Sequence, residues 1–306
     1  MNLRASLSLS LSAALLACAP LLAGCLSFHQ GAMPGEPKNA TFLEVEGTRV
    51  RFTDQGEGPP VVLIHGFASS LETWDLVAPE LLKRHRVIAL DLKGFGWTDR
   101  PEGDYSPWAQ AKIVRAVMDR RGVQSAAIVA HSWGSSVALA LALGAPERVT
   151  RIALYDAWIY EDQIPTFFRL SRRTGVGEAL FGAFYKERPD DKLAMAFFDP
   201  TIMNEKLAED VEKAMERPGT VAGALAAVRG QQFAEVEKRY RTIKKPVLLL
   251  WGREDVVTTL DFGERLYKEL PSAKLVVYPR CGHFPMLEAA AASTTELAKF
   301  LSEGAP

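Results

Sequence analysis

The stretch "AIVAHSWG" at residues 127–134 ends an apolar run in a serine that is flanked by small residues. Ser132 has Ala130 two positions before it and Gly134 two positions after it. A tight turn from a strand into a helix needs small residues there, and such a turn can present a serine hydroxyl as a nucleophile. The alternative is that Ser132 only begins a helix, because serine is also common at helix N-termini.

A nucleophilic serine needs a histidine base within hydrogen-bond reach. The chain has five histidines, namely His29, His65, His85, His131 and His283. His29 lies in a segment rich in Gly and Pro, His85 lies in the charged stretch "KRHR" where solvation is expected, and His131 adjoins the serine and should point away from it. His65 precedes a glycine in an early loop. His283 follows the last predicted strand, where a doubly wound sheet places its site, and is the predicted base.

The carboxylate that orients the histidine should lie between the serine and the histidine in chain order. The stretch "LLLWGREDVV" at 248–257 places Asp255 in the loop after the penultimate predicted strand. Its neighbour Glu254 is a weaker candidate. Asp156, which follows the strand "RIALY", is the second alternative because its loop opens toward the same edge of the sheet.

Attack on a carbonyl also needs two backbone N–H groups that hold the developing oxyanion. The N–H of Trp133, which follows the nucleophile, is the first candidate. The second is the N–H of Phe67 in the loop "HGFASS". This chemistry requires neither a metal nor an organic cofactor, and none is predicted. Cys281, two residues before His283, is interpreted as a buried structural thiol.

Apolar runs that could form strands recur along the chain. Residues 41–46 and 49–53 alternate apolar and polar residues around Gly47, which predicts an antiparallel hairpin. The later runs are continuous, at 61–66, 86–92, 126–132, 151–157, 246–252 and 274–279. Continuous apolar strands indicate a mostly parallel sheet covered by helices on both faces, hence an α/β fold.

One interval, residues 158–241, shows no strand pattern. Helical segments follow one another there, for example at 205–216 and 221–240, so we expect a helical cap inserted before the penultimate strand. The core would then comprise residues 41–157 and 242–306. The interval carries many aromatic residues, most of which should pack the cap onto the core while a few line a pocket. They are Trp158, Tyr160, Phe167, Phe168, Phe181, Phe184, Tyr185, Phe197, Phe198, Phe233 and Tyr240.

Bulk composition excludes several classes of function. The 306 residues carry a formal net charge of -1, which does not suggest a nucleic-acid partner. The three cysteines are too few for a disulfide framework and lack metal-ligand spacing. Nothing in the sequence indicates the oligomeric state.

The N-terminus has the pattern of a targeting signal. A basic residue, Arg4, precedes a long apolar segment that ends in Leu22-Ala23-Gly24-Cys25. This end resembles the lipobox of bacterial lipoprotein signals, which implies a signal peptide at 1–24 and a lipid on Cys25. A plain secretory signal and an uncleaved anchor are the alternatives. Residues 25–40 are predicted to be a flexible tether. Leu26 after the cysteine resembles the pattern of lipoproteins exported to the outer membrane, so we expect a lipid-anchored protein of the bacterial cell envelope.

From residue 41 onward the chain resembles the α/β-hydrolase fold. Five ordered stretches carry the resemblance: "VVLIHGFASSLETWDLVAPEL", "RVIALDLKGFGWTDRP", "VAHSWGSSVALALA", "LLLWGREDVV" and "GHFPMLE". "HSWG" is similar to the "HDWG" of haloalkane dehalogenases and epoxide hydrolases, but serine replaces the aspartate that forms an alkyl ester there. "SWGS" also resembles proline iminopeptidases, although no acidic motif for an amino terminus is found in the cap.

These observations predict a membrane-anchored serine hydrolase that cleaves small or medium carboxylic esters through Ser132, His283 and Asp255. The alternatives are a C–C bond hydrolase of aromatic-ring breakdown, which shares these three residue types, and a cofactor-free perhydrolase. A non-catalytic binding protein is a third hypothesis. It is disfavoured because a binding module has no need of all three side chains.

Overall fold

A sheet of eight strands forms the centre of the molecule, for which the computed structural model describes residues 26–202 and 205–303. The strands are β1 (Thr41–Val45), β2 (Thr48–Gln55), β3 (Pro60–Ile64), β4 (Arg86–Leu90), β5 (Ala126–His131), β6 (Val149–Tyr155), β7 (Val247–Gly252) and β8 (Ala273–Tyr278). Their spatial order is β1-β2-β4-β3-β5-β6-β7-β8. The pairs β1–β2 and β2–β4 are antiparallel, and all other pairs are parallel. The predicted hairpin and mostly parallel sheet are confirmed.

The central strands read as continuous apolar runs because both faces of the sheet are covered. Every residue of β5 and β7 is buried. Along β3 the side chains alternate between two cores: Val62 and Ile64 belong to one, and Val61 and Leu63 belong to the other. The fold is therefore doubly wound, as predicted.

Helices connect the strands and form the cap. They are α1 (Ala78–Leu81), α2 (Pro107–Arg120), α3 (Gly134–Gly144), α4 (Thr166–Ser171), α5 (Val176–Phe184), α6 (Pro189–Ala194), α7 (Glu205–Glu216), α8 (Thr220–Gly230), α9 (Leu260–Glu269), α10 (Pro285–Glu288) and α11 (Ala290–Ser302). Helices α2 and α3 pack against each other beside the sheet, and α11 packs against β7 and α1. None of the helices in the described ranges is long and apolar enough to cross a membrane.

The helices α4 to α8 lie between β6 and β7, so the cap is inserted before the penultimate strand. The predicted helix at 221–240 is interrupted after Gly230, and a short 3-10 helix follows at Glu237–Thr242. Gly230 packs directly onto the chain at residues 105–106, where an added Cβ would lie 2.7 Å from the Ser106 nitrogen. Gln231 then takes an extended conformation, which ends the helix. The helical pattern in the sequence cannot reveal this close approach.

The N-terminal residues of the described chain lie against the domain. His29 forms an isolated antiparallel bridge with Arg100, and the N–H of Gly31 donates to Asp99 Oδ1 across 3.0 Å. The side chain of Met33 is buried. Part of the predicted tether is thus held in place. The predicted signal segment 1–24 and Cys25 lie outside the described residues.

Candidate active site

Ser132 sits on a tight turn between β5 and α3. Its φ angle is +49°, in the left-handed region that non-glycine residues seldom adopt. Gly134 is required because a Cβ there would lie 2.3 Å from the carbonyl oxygen of His65. Ala130 is fully buried, paired between Ile64 on β3 and Leu154 on β6, so the sheet accommodates its methyl group.

The structure brings the three predicted catalytic side chains together in one hydrogen-bonded chain. His283 Nε2 lies 2.9 Å from Ser132 Oγ, and His283 Nδ1 lies 2.8 Å from Asp255 Oδ2. Residues 132, 255 and 283 come from loops that follow β5, β7 and β8. These loops meet because the carboxyl ends of parallel strands share one edge of the sheet.

Asp255 is held as a charged acceptor. Its Oδ1 accepts hydrogen bonds from the N–H groups of Val257 and Thr258, and the Thr258 hydroxyl donates to Oδ2 across 2.6 Å. Burial alone would raise the pKa of Asp255. The charge of His283 and the hydrogen bonds from His283 and Thr258 instead hold this pKa well below its ordinary value.

The other internal histidines have structural partners. His131 Nε2 lies 2.8 Å from the carbonyl oxygen of His283, and burial lowers the pKa of His131 well below its ordinary value. His65 Nδ1 lies 2.7 Å from the Gly66 carbonyl, and its Nε2 accepts from the N–H of Leu92. Neither is positioned as the base. The expectation that His85 is solvated is wrong, because this side chain is buried against the end of α1.

The two predicted oxyanion donors lie near the nucleophile: Trp133 follows Ser132 in the chain, and a Cβ on Gly66, the residue before Phe67, would lie 3.0 Å from Ser132 Cβ. Neither the N–H of Phe67 nor that of Trp133 is hydrogen-bonded to another residue within the described ranges. Their rings are in edge-to-face contact, with centroids 6.3 Å apart. Both N–H groups therefore remain available to an oxyanion formed beside Ser132.

Aromatic side chains of the cap close over this region. The ring of Phe168 on α4 lies 5.3 Å from that of Phe67 and stacks on Trp158 at 5.8 Å. Tyr185 packs on Phe67 from the end of α5. Ser132 is only 4 % exposed, so little of its side chain is open to solvent with the cap in this position.

A large cavity lies elsewhere along the seam between cap and core. Its volume is about 830 Å³, and its walls include Tyr105, Trp108, Ser136 and Phe233. None of the three candidate triad residues lines it. Because the hydrogen-bonded side chains lie outside this cavity, we place the candidate chemistry at Ser132 and not in the cavity.

A segment of the cap contacts the loop that carries His283. The N–H of His283 donates to the carbonyl oxygen of Ala196, and the N–H of Phe198 donates to Glu288 Oε2. The ring of Phe197 stacks on that of Phe284, with centroids 4.7 Å apart. The residues of each contacting pair are 87 or more positions apart in the chain, so no local pattern could have indicated the contact.

In the part of the chain that the structure describes, one group of three side chains could ligate a metal ion, namely Asp156, Asp255 and His283. One ligand atom from each lies within 4.8 Å of the other two. The hydrogen bond between Asp255 and His283 already joins two of these groups, so we interpret the set as acid–base machinery. Cys281 is fully buried, and burial raises the pKa of its thiol, which makes it a poor nucleophile.

The chain is similar in sequence and structure to known proteins. A sequence profile described as the alpha/beta hydrolase fold matches residues 59–290. A 2-hydroxymuconate semialdehyde hydrolase of Pseudomonas sp. (strain CF600) is 30% identical over 296 residues, which is 89% of this chain and 97% of that protein. A 2-hydroxy-6-oxo-2,4-heptadienoate hydrolase of Pseudomonas putida is 32% identical over 254 residues, or 79% and 88% of the two chains.

Among solved structures, a meta-cleavage product hydrolase from Pseudomonas fluorescens IP01 superimposes with a TM-score of 0.76 at 29% identity. The match covers 87% of this chain and 98% of that one. The profile match agrees with the fold seen in the structure, which is a mostly parallel sheet of eight strands. The chain belongs to the α/β-hydrolase family.

Proposed function

We propose that this chain hydrolyses carboxylic esters through an acyl-enzyme formed on Ser132. The observation that carries the proposal is the continuous hydrogen-bond chain from Ser132 Oγ through His283 to Asp255. A serine hydroxyl is a weak nucleophile by itself, and a histidine backed by a carboxylate is the arrangement that activates it.

The proposed reaction has two halves. His283 Nε2 takes the proton from Ser132 as Oγ attacks the ester carbonyl, and the N–H groups of Phe67 and Trp133 hold the oxyanion. His283 then gives this proton to the departing alcohol while the acyl group stays on Ser132. Water, deprotonated by His283, attacks the acyl-enzyme and releases the acid. Asp255 stabilises the imidazolium in both halves.

The surroundings favour an apolar acyl group. Aromatic side chains pack near the turn that carries Ser132: Phe67 contacts Trp133, and Phe168 and Tyr185 of the cap contact Phe67. Apolar walls with a few polar groups at the reacting centre are typical of sites for small organic ligands.

A second candidate function is hydrolysis of a C–C bond in a diketone or dienoate. It is supported by the relatives described as 2-hydroxymuconate semialdehyde and 2-hydroxy-6-oxo-2,4-heptadienoate hydrolases. Because the same three residue types serve both reactions, the triad geometry does not favour one over the other. The difference must arise from groups that bind the rest of the substrate.

The decisive experiment assays the purified protein and its Ser132→Ala variant on two substrate series. One series is p-nitrophenyl esters from acetate to palmitate, and the other is 2-hydroxy-6-oxo-dienoates followed by loss of their visible absorbance. Faster serine-dependent turnover of the esters supports the proposal, and faster turnover of the dienoates replaces it with the C–C hydrolase. No turnover, together with no labelling of Ser132 by a fluorophosphonate probe, contradicts both and favours a binding protein.

We also propose that the mature protein is anchored in the bacterial cell envelope by a lipid on Cys25. The support is the sequence pattern Leu22-Ala23-Gly24-Cys25 after an apolar segment. Mass spectrometry of the mature N-terminus should find a lipid-modified cysteine, and Cys25→Ser should move the protein from the membrane to the soluble fraction. An unmodified N-terminus at another residue would overturn the proposal.

A further inference from the structure

A second carboxyl group, that of Asp156, is enclosed beside the candidate triad. Asp156 follows β6 directly and is fully buried. Its φ angle of +42° lies in the left-handed region, where Asp and Asn are better tolerated than most residues. One of its carboxyl oxygens lies within 4.8 Å of a carboxyl oxygen of Asp255 and of a ring nitrogen of His283.

The two carboxyl groups differ sharply in the hydrogen bonds they receive. Asp255 accepts from two backbone N–H groups, the Thr258 hydroxyl and His283. Within the described ranges, Asp156 Oδ1 accepts one hydrogen bond, from the N–H of Gly252 at 2.9 Å. Asp156 Oδ2 is buried and has no hydrogen-bond partner in the described part of the chain.

The charges around Asp156 also disfavour a second anion. No Arg or Lys within the described residues forms an ion pair with it, whereas the Asp255 carboxylate is a direct neighbour. The titratable groups that face it are Tyr155, Asp255, Tyr278, Cys281, His283 and Glu288. A buried carboxylate without a cation or several donors is costly, and two carboxylates that share one site do not both ionise.

We infer that Asp156 is a neutral carboxylic acid that holds its proton beside Asp255 and acts as a positioning residue for the triad. The site then carries one negative charge, on Asp255, to balance the imidazolium of His283. Burial, followed by the charge of Asp255, raises the pKa of Asp156 well above its ordinary value. A protonated Asp156 can also donate a hydrogen bond toward Asp255. This bond favours the ionised form of Asp255 and the protonated form of Asp156.

The role in positioning rests on the proposed function, because it assumes that Asp255 and His283 act as the acid–base pair. The protonation of Asp156 does not rest on it and can be measured without turnover. Two variants remove the carboxyl group and suit its backbone angle: Asp156→Asn, which keeps shape and neutrality, and Asp156→Gly.

The first test is urea unfolding of the wild type and Asp156→Asn from pH 4 to pH 7. The folded wild type keeps a proton that its unfolded chain loses above a pKa of about 3.9. The stabilisation from this proton is complete below that value and is lost as the pH rises toward the folded pKa. The unfolding constant of the wild type, relative to the variant, should therefore increase about tenfold per pH unit.

Asp156→Gly should give the same pH dependence, because it too lacks the carboxyl group, and it serves if Asp156→Asn does not fold. A ratio of unfolding constants that does not change between pH 4 and pH 7 would mean that Asp156 is ionised in the folded protein. That result would overturn the inference whether or not the chain is an esterase.

The second test is the acid limb of the pH profile of kcat/KM on the best substrate. Asp156→Gly should lower the rate several-fold because it removes the donor toward Asp255, but it should leave the midpoint of this limb unchanged because it removes no charge from the neighbourhood of His283. If Asp156 were ionised, its removal would shift the midpoint to lower pH by about one unit or more, and the inference would fail. Asp255→Asn should lower the rate by a factor on the order of 10⁴.

Discussion

The backbone N–H of His283 donates a hydrogen bond to the carbonyl oxygen of Ala196, across 2.8 Å. His283 is the candidate base, and Ala196 belongs to the cap. A residue of the cap thus helps to fix the loop that carries the base. Any movement of the cap at Ala196 would therefore also disturb the loop that carries the base.

Glu288 strengthens this link from the other side of the loop. Its Oε1 accepts from the N–H groups of Gly282 and Phe284, and its Oε2 accepts from the N–H of Phe198 in the cap. The carboxylate therefore bridges the cap and the histidine loop. A closed cap completes these contacts, and a displaced cap would leave the loop around His283 less constrained.

The first prediction follows from the three N–H groups that Glu288 accepts. Glu288→Gln exchanges one acceptor oxygen for an NH₂ donor that faces another donor, and hydrogen bonds to a charged group are worth about 1.5–3 kcal/mol. We expect kcat/KM to fall at least about tenfold and the cap to become more sensitive to limited proteolysis. Steady-state kinetics and a protease time course measure both effects.

Glu80→Gln is the matched control, because Glu80 is exposed and pairs only with Lys83 on the surface. It should leave kinetics and proteolysis unchanged. If Glu288→Gln behaves like this control, the cap and the histidine loop are not coupled through Glu288.

The second prediction concerns the turn at Ser132. Gly134→Ala would place a methyl group 2.3 Å from the backbone oxygen of His65, which directly follows β3 and can move only with the main chain there. We expect a loss of about 1–3 kcal/mol in the free energy of unfolding, together with lower activity. Urea unfolding and ester hydrolysis measure the two effects.

Ala130→Gly provides the comparison at the other side of the same turn. It only removes a buried methyl group, so it should retain most of the activity and bring the motif to its common form. Equal losses of stability and activity from both substitutions would show that the close approach to His65 does not exclude a side chain at residue 134.

The sequence predicted the sheet and the turn at Ser132 because their signals are local. Strand runs such as 61–66 and 126–132 are continuous and apolar, and buried parallel strands need this pattern. The spacing of Ala130, Ser132 and Gly134 likewise reflects the sterics of one turn. Each of these features is encoded within fewer than ten consecutive residues.

The remaining features depend on contacts between distant segments. Asp156 and Asp255 both follow strands at the same edge, and only the donors around each carboxyl group distinguish an anion from a neutral acid. The break at Gly230 arises from its approach to Ser106, and the burial of His85 from its position beside α1. Residue types alone could not have revealed these relationships.

The third prediction is the pH dependence that Asp255 gives to stability. Its pKa in the folded protein is held below the ordinary value, so its stabilising contribution is present above an unfolded pKa of about 3.9 and is lost as the pH falls. Below about pH 4, the unfolding constant of the wild type, relative to that of Asp255→Asn, should increase by up to tenfold for each unit by which the pH falls.

Urea unfolding at pH 3 to 5 measures this ratio. The contribution of Asp255 to the free energy of unfolding weakens as the pH falls, whereas that of Asp156 weakens as the pH rises. A parallel pH dependence of the unfolding ratios for Asp255→Asn and Asp156→Asn would contradict the assignment of one anion and one neutral acid.

The last prediction concerns acyl-chain preference, given esterase activity. The ring of Phe168 lies against Phe67, Trp158 and Phe181, at centroid distances of 5.3, 5.8 and 6.1 Å. Phe168→Ala removes this ring from the closure above the nucleophile. The space it leaves should admit additional methylene groups, each worth about 1–3 kcal/mol in an apolar pocket. We expect the ratio of kcat/KM for octanoate to that for acetate to rise about tenfold in p-nitrophenyl ester assays.

Phe184→Ala is the control, because the Phe184 side chain is 49% exposed on the same cap. An identical chain-length profile in both variants would show that Phe168 does not border the acyl site, and the pocket would then have to be sought along another wall of the cap.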